Sequence, residues 1–214
     1  MEEAARMEIG VIGTGDMGHA LADALSDAGH TIMIGSRDTQ RGQEVSEEFG
    51  PTVSGGSNAE AAQFADVIVL AIPFEGSESV ISECGSLAGK TIIDVTNPVD
   101  FQNLQIQVEN DTSGGEEIAR MAPDASVVKA FNAIHAEVII EPEFDDDRPP
   151  VFYCGDDEDA KRIVSELIED CGLDAIDCGP LKASRYLEPM AGLLVQLSMM
   201  EDRGAGNAFF FFER

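Results

Sequence analysis

The chain has 214 residues, 43% of them hydrophobic and 25% charged. That is enough for a real core, and for one domain with at most a small appendage. Its 41 acidic residues against 13 basic ones set a formal net charge of −28, which disfavours nucleic acid as a partner because a phosphate backbone needs a basic face. The longest apolar runs, Val67 to Pro73 and Phe209 to Phe212, fall far short of the roughly 18 residues of a membrane span. Neither the basic nor the apolar region of a signal peptide stands at the N-terminus, so a cytoplasmic protein without membrane contact is expected. Acids scattered along the whole chain, as in Asp145-Asp146-Asp147 and Asp156 to Asp159, suit a halophilic cytosol where salt screens self-repulsion.

In chain order, the apolar run Met7 to Ile12 predicts a strand and Gly13-Thr14-Gly15-Asp16-Met17-Gly18 a turn. A helix then carries Ala20, Leu21, Ala24, Leu25 and Ala28 on one face. Gly29 ends it, Thr31 to Ile34 forms the next strand, and Gly35-Ser36-Arg37 follows. The rhythm repeats with a helix over Thr39 to Phe49, a strand near Thr52 to Ser54, a helix over Asn58 to Phe64 and a strand over Asp66 to Ile72. Next come a helix over Ser77 to Cys84, a strand over Thr91 to Val95, a polar loop over Asp100 to Ser113, a helix from Gly114 to Met121 and a strand over Ser126 to Ala130. An acidic, proline-containing linker over Glu141 to Pro150 leads into a final β-α-β unit (Val151 to Cys154, Ala160 to Cys171, Leu173 to Cys178). A Leu- and Met-rich helix over Lys182 to Met200 and an aromatic tail close the chain. Alternating strands and helices predict an α/β fold, a Rossmann-type doubly wound parallel sheet covered on both faces with a small C-terminal α/β extension. The division is a dinucleotide-binding part over residues 1–140 and a smaller part over 150–214.

The spacing Gly13-x-Gly15-x-x-Gly18, directly after a strand and directly before a helix, is the dinucleotide fingerprint in its required context. Gly13 makes the tight turn, Gly15 admits the pyrophosphate to the backbone, and Gly18 lets the helix pack closely. The helix N-terminus offers free N–H groups to phosphate. An NAD site needs an acid at the end of the second strand; Ser36-Arg37 stands there instead, a hydroxyl and a charged fork suited to a 2′-phosphate, with Arg41 as a possible second cation. The adjacent Asp38 reads as a helix cap. Ala71-Ile72-Pro73-Phe74, Asn97-Pro98 and Asn132-Ala133 follow later strands, where open α/β sheets bind their ligands. Four cysteines (Cys84, Cys154, Cys171, Cys178) lack metal-ligand spacing and read as buried hydrophobes. No side chain stands out as catalytic; His135 is the best placed of three histidines, and His19 and His30 read as structural.

These segments, together with Lys129-Ala130-Phe131-Asn132-Ala133-Ile134, Cys154-Gly155-Asp156-Asp157 and Gly179-Pro180-Leu181 through Ser184-Arg185-Tyr186-Leu187-Glu188, resemble the NADP oxidoreductases that use the deazaflavin coenzyme F420. The resemblance runs nearly the whole length. It implies reversible hydride transfer between NADP(H) and coenzyme F420, a homodimer, a 2′-phosphate held by Thr14, Ser36, Arg37 and Arg41, and a nicotinamide near Ile72, Asn97 and Ala133. Where the family often has Asn before the Ser-Arg pair, this chain has Ala183. The residues also leave open an NADPH-dependent reductase of an imine, ketone, quinone or ferric chelate, and a nucleotide-sensing module. The four phenylalanines Phe209 to Phe212 predict a strand-like tail with two rings on each face, packed against a second copy.

Overall fold

The structure, a computed structural model, describes residues 6–100, 105–106, 108, 111–144 and 147–212. The sheet strands are β1 (Glu8–Ile12), β2 (Thr31–Ser36), β3 (Val53–Ser57), β4 (Val67–Leu70), β5 (Thr91–Asp94), β8 (Ser126–Lys129), β9 (Pro150–Gly155) and β10 (Asp174–Asp177). A separate two-stranded ribbon pairs β6 (Val99–Asp100) with β7 (Gln105–Ile106). The helices are α1 (Asp16–Asp27), α2 (Thr39–Ser46), α3 (Asn58–Phe64), α4 (Ser77–Cys84), α5 (Gly114–Met121), α6 (Ala136–Ile140), α7 (Glu158–Asp170) and α8 (Ser184–Val195). A π-turn over Gln196–Met200 extends α8.

The sheet order is β10-β9-β8-β5-β4-β1-β2-β3. Its six strands from β3 to β8 are all parallel, in the 3-2-1-4-5-6 winding of a dinucleotide-binding sheet. Both faces are covered, so the strands read as continuous apolar runs rather than alternating ones. Along β4, Val67 and Val69 face one core with Leu21 and Leu25 of α1, while Ile68 and Leu70 face the other with Ala61 of α3 and Ile81 of α4. Each such aliphatic side chain, fully buried, contributes about 1.5–3 kcal/mol.

The final β-α-β unit enters this same sheet, and the all-parallel expectation fails at one seam. Here β9 runs antiparallel to β8, with Val128 opposite Gly155 and Lys129 opposite Cys154, while β10 is parallel to β9. Among the described residues the only helix between β8 and β9 is α6, five residues long, which rises only about 7.5 Å and gives no full-length crossover. Val164, Leu167 and Ile168 of α7 bury into the core that holds Ile9 and Val11. Within the expected linker, Pro149 and Pro150 are buried and Pro150 opens β9.

Candidate functional site

The turn between β1 and α1 is shaped by close approaches. Gly13 has φ +125°, and a Cβ there would lie 2.1 Å from the Ala71 carbonyl oxygen; at Gly18 it would lie 2.3 Å from the Gly13 oxygen. A Cβ at Gly15 would meet nothing within 4 Å. Gly15 is the N-cap of α1 with no side chain bonded to the helix end, so Asp16 and Met17 open the first turn beside an unoccluded N-terminus. Such an end attracts phosphate through its free N–H groups and the helix dipole.

At the end of β2, Ser36 is half-buried and its Oγ accepts from the Asp38 N–H at 3.3 Å. Asp38 caps α2, its carboxylate accepting from Gln40 N–H at 3.1 Å, so it is the helix cap expected from the sequence. Arg37 is exposed and has no ion pair among the described residues. Arg41 lies 3.9 Å from Glu44 and lines, with Thr14, Gly15, Met17 and His19, a cleft of about 590 Å³. The open space at Gly15, the free end of α1 and an unpaired guanidinium beyond β2 fit a dinucleotide carrying an extra phosphate on its adenosine half.

A larger cleft of about 880 Å³ continues from this turn across the carboxyl ends of β4, β5 and β8, at the point where the strand order reverses about β1. Ala71, Ile72, Pro73 and Phe74 line it after β4, Thr96 and Asn97 after β5, and Asn132, Ile134 and His135 after β8; Ala191, Leu194 and Val195 of α8 close it. Pro98 and Ala133 do not line it. Pro98 is buried, its ring against Gly114 of α5, and Ala133 is half-buried.

The histidines divide as their positions suggest. His30 accepts from Met7 N–H at 3.2 Å and faces Asp170 at 3.1 Å, tying β1 to α7. His19 pairs with Glu48 at 3.3 Å and packs on Phe49. His135 Nε2 lies 2.6 Å from Ser198 Oγ, which also contacts Leu194 O at 2.8 Å and Asn207. Burial pushes the His135 pKa below its ordinary value, so the ring is neutral near pH 7. Burial likewise pushes the Cys84 and Cys154 thiols up to about 11 and Cys171 to about 12, which makes them inert packing groups.

Beneath the cleft lies a charged network that residue spacing does not reveal. Lys129, fully buried, donates to Asp94 Oδ2 at 2.8 Å and Thr96 O at 2.6 Å, and meets Glu188 Oε1 at 2.9 Å. Burial alone would push the ammonium pKa down; Asp94 and Glu188 outweigh it and hold it above its ordinary value. Glu188 also accepts from the Gly114 and Gly115 N–H groups, capping α5. Three residues earlier, Arg185 grips Glu116 through two bonds of 2.7 and 2.8 Å. The Arg-x-x-Glu segment is thus a clamp of α8 onto α5. The Gly-Asp-Asp and Gly-Pro-Leu segments lock to each other: Asp156 accepts from Leu181 N–H and Asp157 caps α7. A lysine ending an otherwise apolar strand was the one available signal.

The winding of the sheet, the glycine turn and a cleft at the switch point define a protein of the dinucleotide-binding Rossmann class. Residues 8–98 match the family described as NADP oxidoreductase, coenzyme F420-dependent. An F420-dependent NADP reductase of Methanothermobacter marburgensis is 34% identical over 90% of this chain and 93% of its own length, and the chain belongs to the F420-dependent NADP reductase family. The structure of a candidate F420-dependent NADP reductase from Arthrobacter sp. FB24 superposes with a TM-score of 0.88 at 31% identity, covering 97% of this chain and 100% of that one. Metalloreductase STEAP3 of Rattus norvegicus is 33% identical over 85% of this chain. The chain spans only 36% of that relative's length.

Proposed function

We propose that this protein transfers hydride reversibly between NADP(H) and the deazaflavin coenzyme F420. The observation that carries the reading is the continuous path from the open Gly15 turn, past unpaired Arg37 on one side, to the cleft over the ends of β4, β5 and β8 on the other. Gly13, Gly15 and Gly18 with the α1 end hold the pyrophosphate, Thr14, Ser36, Arg37 and Arg41 the 2′-phosphate. Ala71, Ile72, Pro73 and Asn97 surround the nicotinamide, with Pro98 and Ala133 behind them. When bound, the nicotinamide supplies a hydride at C4, which C5 of the deazaflavin accepts together with a proton taken up at its ring nitrogen. The chain's own task is to hold the two rings face to face and keep water from between them. A neutral His135 bonded to Ser198 leaves that proton to solvent.

Residues 150–214 act as the part that completes the second-substrate pocket, which Ala191, Leu194 and Val195 on the cleft wall support. A homodimer formed through α8 and the aromatic tail, and a halophilic cytoplasm, complete the reading. No helix among the described residues is long and apolar enough to cross a membrane. The STEAP3 match favours a second reading, in which the same NADPH site serves a ferric chelate. Steady-state assays of NADPH oxidation in molar salt, with coenzyme F420 and with ferric chelates as acceptors, separate them: turnover with F420 at least about tenfold faster is expected, and turnover with iron alone would overturn the first reading.

A further inference from the structure

We propose that Asn132 reads the carboxamide of the nicotinamide, its Oδ1 accepting a hydrogen bond from the carboxamide N–H. This rests on the nucleotide reading above and extends it to a residue outside the fingerprint. Asn132 is only 6% exposed and lines the larger cleft between Asn97 and Ile134. Its Nδ2 spends both protons, on Asn97 Oδ1 at 3.0 Å and on Leu187 O at 3.0 Å. Leu187 O is a main-chain carbonyl, which only accepts, so the orientation of the amide is fixed. Asn97 is fixed in the same way, its own Nδ2 donating to Asn132 O at 2.9 Å.

That leaves Asn132 Oδ1 buried without a partner among the described residues. A buried acceptor left unbonded is costly, and native interiors rarely keep one without a purpose. The backbone supports the same placement. Phe131, buried and not glycine, holds φ +59°, a strained conformation that turns the chain at the carboxyl end of β8 and sets Asn132 on the cleft wall. Strain of this kind persists where the surroundings over-determine it, commonly at ligand sites. Lys129, two residues before Phe131, anchors that turn through its bond to Thr96 O, next to Asn97. Asn132 lines the cleft and carries one fixed acceptor that is closed off and unpaired among the described residues, which a primary amide wedged against this wall would complete. A ligand bringing an N–H gains a bond; one bringing a methyl group leaves the oxygen stranded.

The test uses the full-length protein in molar salt and measures dissociation constants for NADP⁺ and for its 3-acetylpyridine analogue, in which a methyl group replaces the carboxamide NH₂. Wild type should prefer NADP⁺ by about tenfold or more, the worth of one bond to a buried acceptor. In Asn132→Ala the preference should fall to within about twofold, while Asn132→Asp, which keeps an acceptor oxygen, should retain it. Equal affinities in wild type, or a preference undiminished in Asn132→Ala, would overturn the proposal. If Asn132→Ala does not fold, the wild-type ratio decides, a value near one overturning it and a tenfold value supporting it. Should the alanine change raise only the KM of the second substrate, the orphan oxygen serves that substrate and the proposal fails. No binding of either nucleotide to wild type would instead defeat the nucleotide reading itself.

Discussion

Gly15 and Gly18 belong to one motif yet are needed for different reasons, and substitution separates them. A methyl group at Gly15 meets no protein atom within 4 Å, and φ there is −87°, so Gly15→Ala should melt within a few degrees of wild type. It should nonetheless bind NADP(H) at least about tenfold more weakly, because the methyl takes the pyrophosphate's space. Gly18→Ala drives a Cβ to 2.3 Å from a backbone oxygen and should destabilise the fold by about 1–3 kcal/mol or more; calorimetry and fluorescence titration read both. In the proposed reading Arg37 discriminates between cofactors. Loss of its charge-assisted contact, about 1.5–3 kcal/mol, should raise KM for NADPH roughly tenfold to a hundredfold in Arg37→Ala while KM for NADH hardly moves. An equal rise for both would contradict the assignment. These residues were legible because the glycine turn and the strand-end cation are local patterns. The ion pair of Lys129 and Glu188 was not, since its two partners lie on different elements, far off in sequence, and Asn132 was legible only as a strand-end residue, its partners Asn97 and Leu187 being equally distant.

At the scale of elements, the α8 clamp makes the sharpest prediction. Glu188 is 1% exposed and serves both the N–H groups of α5 and the Lys129 ammonium. Glu188→Ala should cost about 3–5 kcal/mol, because breaking a buried ion pair strands its partner. Glu188→Gln, which keeps an acceptor for the helix cap, should cost less, as denaturant titration would report. Most elements were readable from period and punctuation, with ends that shift by a few residues. The exceptions have physical causes. β3 extends through Gly55 and Gly56, which look like turn residues but are glycines because α2 packs there: a Cβ on Gly55 would lie 2.1 Å from the Gly42 oxygen. α6 is five residues long and carries no periodic signal, and the β6–β7 ribbon sits inside a polar stretch with two-residue strands. The tail forms no strand over Phe209–Phe212. Phe209 and Phe210 are half-buried, with Phe210 edge-on to Phe144 at 5.4 Å, while Phe211 and Phe212 are exposed. Burial therefore divides the rings by adjacent pairs, while Phe210 also stacks on Phe212, two residues on, at 6.1 Å.

For the molecule as a whole, charge and exposed apolar surface pull in opposite directions. A net charge of −28 opposes any close approach of two copies in dilute buffer, and salt screens it. Against it stand Tyr186 at 79%, Leu193 at 51%, Met199 at 73% and Phe212 at 73% exposure along α8, its extension and the tail, side chains of the kind that fill an interface. Light scattering should find a dimer in molar salt that weakens as salt is withdrawn, and removal of residues 204–214 should weaken it further while NADPH affinity stays within about twofold; a monomer at every salt concentration would contradict the assembly. The overall winding was legible because apolar strands alternated with amphipathic helices, and the reversed entry of β9 was not, because strand direction leaves no mark in composition. The central claim is direct transfer of hydride between two bound rings. NADPH carrying deuterium at C4, on the face that reacts, should be incubated with coenzyme F420 and the protein in molar salt, and the reduced deazaflavin weighed by mass spectrometry. The label should appear in the reduced deazaflavin as a gain of about one mass unit, with none released to water. Reduced deazaflavin without label, or NADPH consumed with the deazaflavin still oxidised, would contradict it.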